Sequence, residues 1–147
     1  MSPRSRIGLV GCVKSKQSQP TPAADLYTSP LFVGRRRYVE KSCDQWYVLS
    51  AKYGLVLPTD VLEPYDVTLK TASRVARRAW SRDVVRTLHA YGVCFDETVF
   101  EIHAGEEYRA FGLVEALIAG GGRVDVPTNG LSLGRQLGFY NKSNARK

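Results

Sequence analysis

The sequence has no apolar run long enough to span a bilayer, and Met1–Arg6 lead into a short strand pattern without a signal-peptide core. A cytoplasmic protein with no membrane contact is therefore expected. Cysteine is scarce: Cys12, Cys43 and Cys94 are odd in number, widely separated and without the paired spacing of a zinc site, so neither a disulfide framework nor a metal site is indicated. Glycine-rich phosphate signatures are missing too. Gly8-Leu9-Val10-Gly11 lacks both the dinucleotide fingerprint and the Walker lysine spacing, which argues against a nucleoside triphosphatase and leaves no cofactor expected. Histidine occurs only at His89 and His103.

What is abundant is positive charge. Lysine and arginine number 21 against 14 acidic residues, a formal +7, which favours polyanionic partners. At 147 residues with 44% hydrophobic content, the chain can bury one sizeable core, and no composition break divides it, so residues 1–147 are expected to form a single α/β domain.

Ile7–Cys12 reads as a central parallel strand and Gln45–Ser50 as a second. Ser29 and Pro30 look like the N-cap and first position of a helix to about Ser42, weakened by Gly34, with Arg35, Arg36 and Arg37 forming a cationic cluster. The polar, proline-punctuated stretch 58–66 is too broken for long regular structure, and so long a loop is more often functional than idle. A long helix is expected from Thr71 to Gly92, with Arg74, Arg78, Arg82 and Arg86 four apart on one face. That basic stripe is ~18 Å long at ~1.5 Å per residue, comparable with several phosphates of a nucleic-acid backbone; a merely solvated face explains it equally well.

Thr98–Ile102 reads as a third strand that delivers His103 to the sheet edge, with Thr98, Phe100 and Ile102 on one face. Behind Ala104-Gly105, the residues Tyr108, Phe111, Val114 and Leu117 recur at helical spacing. Arg123–Val126 is a fourth strand, residues 131–140 a last helix, and the basic tail 141–147 is expected to fray. Alternating strands and helices imply a three-layer α/β/α sandwich with a mainly parallel sheet of about four strands.

Ligands of open α/β sheets bind outside the carboxyl ends of the strands. There the pattern gathers Cys12, Lys14 and Lys16; Ser50, Lys52 and Tyr53; His103, Tyr108 and Arg109; and Asn129. His103 suits acid/base or leaving-group chemistry, with a plain structural histidine as the alternative. Cys12 lacks a nucleophile-elbow sequence and ranks as lining the site. Asp66, after Tyr65, is the best carboxylate for water or a cationic transition state, although a turn aspartate is the ordinary alternative.

The ordered motifs Cys12-x-Lys14-x-Lys16, Ala24-x-Leu26-Tyr27-x-Ser29-x-Leu31-Phe32, Leu49-Ser50-Ala51-Lys52-Tyr53-Gly54-Leu55, Pro64-Tyr65-Asp66-x-Thr68-Leu69 and His103-Ala104-Gly105 span nearly the whole chain. This pattern resembles the bacterial and phage domain family DUF6884. That family looks like a distant relative of the uracil-DNA glycosylase superfamily and of a similar domain in archaeal tRNA-guanine transglycosylase-related proteins. The resemblance implies an α/β/α sandwich, an acidic or polar residue after the first strand to handle water, and a histidine after a late strand to stabilise the leaving base. His103 could fill the second place; the first-strand loop has no carboxylate, so the water role would pass to Asp66.

The expectation is a nucleic-acid-processing hydrolase, an N-glycosidase acting on a modified or damaged base, with DNA as the first partner to test. Arg74, Arg78, Arg82 and Arg86 would hold the backbone, Tyr53 or Tyr65 would stack a flipped base, and His103 with Asp66 would stabilise charge. Two alternatives stand beside it: a non-catalytic nucleotide or nucleic-acid binding module using Lys14, Lys16, Lys52 and Arg109, and an enzyme acting on a free nucleoside or nucleotide.

Overall fold

The computed structural model describes residues 5–12 and 16–145. Strand β1 (Ser5–Gly11) runs between β3 (Gln45–Ser50) and β6 (Thr98–His103), pairing in parallel with both. Outside them lie β4 (Gly54–Val56), antiparallel to β3, and β7 (Arg123–Asp125), parallel to β6, giving the order β4-β3-β1-β6-β7. The mainly parallel sheet matches expectation, but it has five strands. The extra one is β4, just before the stretch expected as a loop: Gly54, at φ +72°, turns the chain back after Ser50. A separate ribbon pairs β2 (Thr21–Pro22) with β5 (Val61–Leu62), so the proline-rich stretches tie each other down.

Helix α1 (Ala23–Leu26) precedes α2 (Pro30–Ser42), whose start is fixed as expected: Ser29 Oγ accepts from Phe32 N at 3.2 Å and Pro30 holds the first position. Helix α3 (Arg74–Ala90) begins three residues later than expected because Ser73 caps it, accepting from Ala76 N. The helix expected after His103 is two helices, α4 (Glu106–Arg109) and α5 (Leu113–Ala119), because Gly112 sits at φ +108° between them. The last helix, α6 (Leu133–Asn144), is capped by Ser132 and runs into the segment expected to fray.

Packing explains that extension. Tyr140 of α6 is fully buried, and Asn144 Nδ2 donates to Gly34 O of α2. A Cβ on Gly34 would lie 2.8 Å from Tyr140 Cβ, so the glycine that weakens α2 locally is what lets α6 approach. Helix α2 also packs on β1 and β3, while α3 packs on β4 and α5, and α5 on β7. Strand order reverses at β1, whose neighbours on its two sides, β3 and β6, come later in the chain, and the crevice beyond the end of such a strand is where open α/β sheets take their ligands.

Candidate functional site

A cleft of about 700 Å³ opens at that point, and its lining includes Cys12, Lys16, Arg35, Asp66, Glu107 and Tyr108. Cys12 is held just past β1 by its N–H, which donates to Leu49 O at 3.0 Å. Its Sγ shares a 2.7 Å hydrogen bond with the Tyr108 hydroxyl. Tyr27 and Tyr65 hydroxyls share another at 2.6 Å, and Ser50 Oγ donates to Tyr65 at 2.9 Å. Burial, with Cys12 beside them, pushes the Tyr27, Tyr65 and Tyr108 hydroxyls up, so all three stay protonated near neutral pH.

The floor of the cleft holds an unusual cation. Arg35 is 4% exposed and makes two long bonds to neutral acceptors, at 3.3 Å to Gly11 O and 3.3 Å to Gln136 Oε1, while its Nε has no partner among the described residues. Burial pulls its pKa down, against the opposing influence of Tyr140, Glu107 and Tyr108. No carboxylate lies within ion-pair distance among the described residues. A buried guanidinium without a counter-ion is costly, and an anionic group entering the cleft would relieve that cost. Asp66 is exposed and Glu107 half-buried on the same cleft. Exposed Val67 and Leu133 add an apolar rim, and Lys70 a second cation beside Lys16, whose ammonium sits 4.5 Å over the Tyr65 ring.

Of the residues expected at the site, Cys12, Lys16, Asp66 and Tyr108 line the cleft. Lys14 lies outside the described residues. Ser50 is fully buried beneath Tyr65, and Tyr53 touches Tyr65 edge-on with Lys52 over its outer face; none of the four lines the cleft. Arg109 Nε donates to Ala104 O at 3.0 Å and its other end reaches Asn129 at 3.5 Å, so this pair braces the turn after β6. Arg74, Arg78, Arg82 and Arg86 are all exposed on α3.

His103 needs a correction. It was expected to face a ligand at the sheet edge, but its side chain is fully buried and points under α2 and α6. Its Nε2 meets Glu101 Oε1 at 2.6 Å and its Nδ1 meets the Tyr140 hydroxyl at 2.6 Å. Glu101 also accepts from Arg6 Nε at 2.5 Å and from Ser42 Oγ at 3.1 Å, and a second arm of Arg6 reaches Asp125. An ionised Glu101 can only accept, so Nε2 carries the proton and Nδ1 accepts from Tyr140. The reason is register: β6 is an inner strand, so both of its faces are buried, and Glu101 and His103 satisfy one another on the second face.

The profile of DUF6884, a family of unknown function, matches residues 7–142. The chain belongs to that family. It is also 30% identical over 112 residues to the "Uncharacterized protein YfjM" of Bacillus subtilis (strain 168), a match covering 71% of this chain and 73% of that protein. No solved structure gives a significant match.

In this DUF6884 domain the sequence reading missed Arg35, Glu107, Gln136 and Lys70. For Arg35 a signal was present: it falls three after Phe32, four after Leu31 and four before Val39, on the inward stripe of α2 and not with exposed Arg37. No helix among the described residues is long and apolar enough to cross a membrane.

The His103 network predicts how the DUF6884 fold responds to acid. Burial holds the His103 pKa below its ordinary value, outweighing the opposing pull of Glu101. A depressed folded pKa means that the unfolded chain binds the proton more readily, so this contribution is present above the unfolded value of ~6.5 and is lost as pH falls below it. Glu101 is also depressed: burial opposes its ionisation, but bonds from His103 and Arg6 prevail, so its contribution fades in the same direction, at lower pH. Denaturation at pH 7.5 and 5.5 should therefore show lower stability at pH 5.5, with a limiting slope of ~1.4 kcal/mol per pH unit for one proton. His103→Gln should flatten that slope; an unchanged slope would place the titrating group elsewhere.

Proposed function

We propose that this domain is an N-glycosidase that hydrolyses the bond between a nucleobase and its sugar in nucleic acid. The observation that carries the reading is the charge arrangement of the cleft: carboxylates Asp66 and Glu107 at its wall and the buried, uncompensated guanidinium of Arg35 at its floor. Breaking a glycosidic bond separates charge in the same sense, leaving a cationic sugar and an anionic base. Asp66 takes a proton from water as its oxygen adds to C1′, the C1′–N bond breaks, and the departing base, stabilised by Arg35, receives a proton from solvent. Net, hydroxyl goes to the sugar and hydrogen to the base. Val67, Leu133 and half-buried Leu31 offer apolar surface to a flipped base, in place of Tyr53 and Tyr65.

The leaving-group role expected of His103 passes to Arg35 in this proposal, while the water role stays with Asp66. A three-layer α/β/α sandwich and a distant likeness to the uracil-DNA glycosylase superfamily belong to the same reading. Both fit a mainly parallel sheet whose central strand ends in a ligand cleft.

The experiment is mass spectrometry of free bases released from a panel of modified and damaged DNA and RNA. Wild type should release one base class, and Asp66→Asn should release it about 100-fold more slowly, within the ~10²–10⁴ range for a positioned base, with binding retained. Binding without release by wild type would leave a non-catalytic module.

A further inference from the structure

A second concavity, of about 720 Å³, lies between α3 and the α4–α5 turn and is lined along one side by Arg78, Arg82, Arg86 and His89. The three arginines recur every four residues and are exposed, advancing ~6 Å each along the helix. Arg86 is paired with Asp83 at 3.2 Å, whereas Arg78 and Arg82 make no ion pair or hydrogen bond among the described residues. Glu115 is the one carboxylate in the lining, so the groove is net positive.

A feature independent of charge points to a ligand. Ser81, on the same helix and in the same lining, is 3% exposed, and its Oγ has no hydrogen-bond partner. A buried hydroxyl is ordinarily satisfied. This one belongs to a residue of the lining, between two unpaired arginines, where a ligand oxygen that reached it would satisfy it.

Arg77 links the groove to the segment beside the cleft. Arg77 stacks on Phe111, a groove residue, at 4.7 Å, and donates to Leu69 O and Lys70 O at 2.7 Å each, in the segment that bounds the cleft. One guanidinium thus ties a residue of the groove to the segment beside the cleft.

We infer that this groove binds the sugar-phosphate backbone of a single nucleic-acid strand, with Arg78, Arg82 and Arg86 on phosphates and Ser81 donating to one of their oxygens. The inference deepens the reading of the cleft by naming its substrate as a polymer, held outside the cleft while one nucleotide enters it. The concavity follows one helix face, a course that a single strand can track.

The test is fluorescence anisotropy of a labelled single-stranded oligonucleotide across a salt series, for wild type, Arg78→Ala/Arg82→Ala/Arg86→Ala and Ser81→Ala, with melting temperatures measured alongside. The triple variant should lose at least tenfold in affinity, and its log–log salt slope should become shallower by about 2, from ~0.7 per phosphate contact. Ser81→Ala should lose a few-fold in affinity with the slope unchanged. Affinity and slope equal to wild type in the folded triple variant would overturn the inference, as would tighter binding to anionic vesicles than to the oligonucleotide. Because binding needs no turnover, the two proposals fail separately. Arginine-dependent binding without base release sinks the cleft reading alone, and release from free nucleosides with arginine-independent binding sinks the groove alone.

Discussion

Replacing Arg35 with methionine should leave the folding free energy within about 1 kcal/mol of wild type while lowering catalysis at least 100-fold. The two halves have separate causes. Arg35 contributes little to stability because its charge is buried without a counter-ion and its bonds to Gly11 O and Gln136 Oε1 are both 3.3 Å long. Substituting a buried charge by an apolar side chain of similar volume is often neutral or stabilising, and the two acceptors left behind account for the small cost allowed. The catalytic role proposed for it rests on the same feature, since a guanidinium at the floor of the cleft would already be placed for a developing negative charge. Loss of one such preorganised donor costs ~10²–10³ in rate. Chemical denaturation and a base-release assay on the same preparation check both halves. A large loss of stability with unchanged turnover would make Arg35 a structural residue.

Glu101→Ala should destabilise the fold by about 3–5 kcal/mol, the cost of removing one partner from a buried ion pair. That is a large share of the ~5–15 kcal/mol that holds an ordinary domain folded. Four groups depend on this carboxylate: Arg6 Nε, the His103 Nε2–H, Ser42 Oγ and, through the imidazole, the Tyr140 hydroxyl that anchors α6. Asp125→Ala removes the other partner of Arg6, but there the carboxylate is 48% exposed, so a loss of ~0–1 kcal/mol is expected. The contrast between these substitutions, read by urea denaturation, separates the buried network from a surface ion pair. Equal effects would show that burial of Glu101 is not what matters.

The backbone plan was readable wherever local chemistry decides it. Ser29-Pro30 starts α2, Ile7–Gly11 and Thr98–His103 lie side by side in parallel, and Arg74, Arg78, Arg82 and Arg86 of α3 are exposed. Reading failed where tertiary contacts override local pattern. His103 was placed at a ligand because a histidine before a glycine turn suggests a site. However, Glu101 two residues earlier on the same face is its partner, and only the packing of α2 and α6 over that face settles the choice. Arg35 was grouped with its neighbours by charge, although helical periodicity sets it apart from Arg37. Tyr108, Phe111, Val114 and Leu117 kept helical spacing across Gly112, so the break between α4 and α5 was invisible to periodicity. The tail reads as polar until Tyr140 and Asn144 are seen packed against α2.

One measurement bears most directly on the claim that water adds across a nucleobase–sugar bond in this cleft: mass analysis of both products after reaction in H₂¹⁸O. The expected products are a free base without label and a sugar carrying one ¹⁸O at C1′, with neither formed by Arg35→Met above background. Label in the base, as in hydrolytic deamination, or label in released phosphate would contradict it.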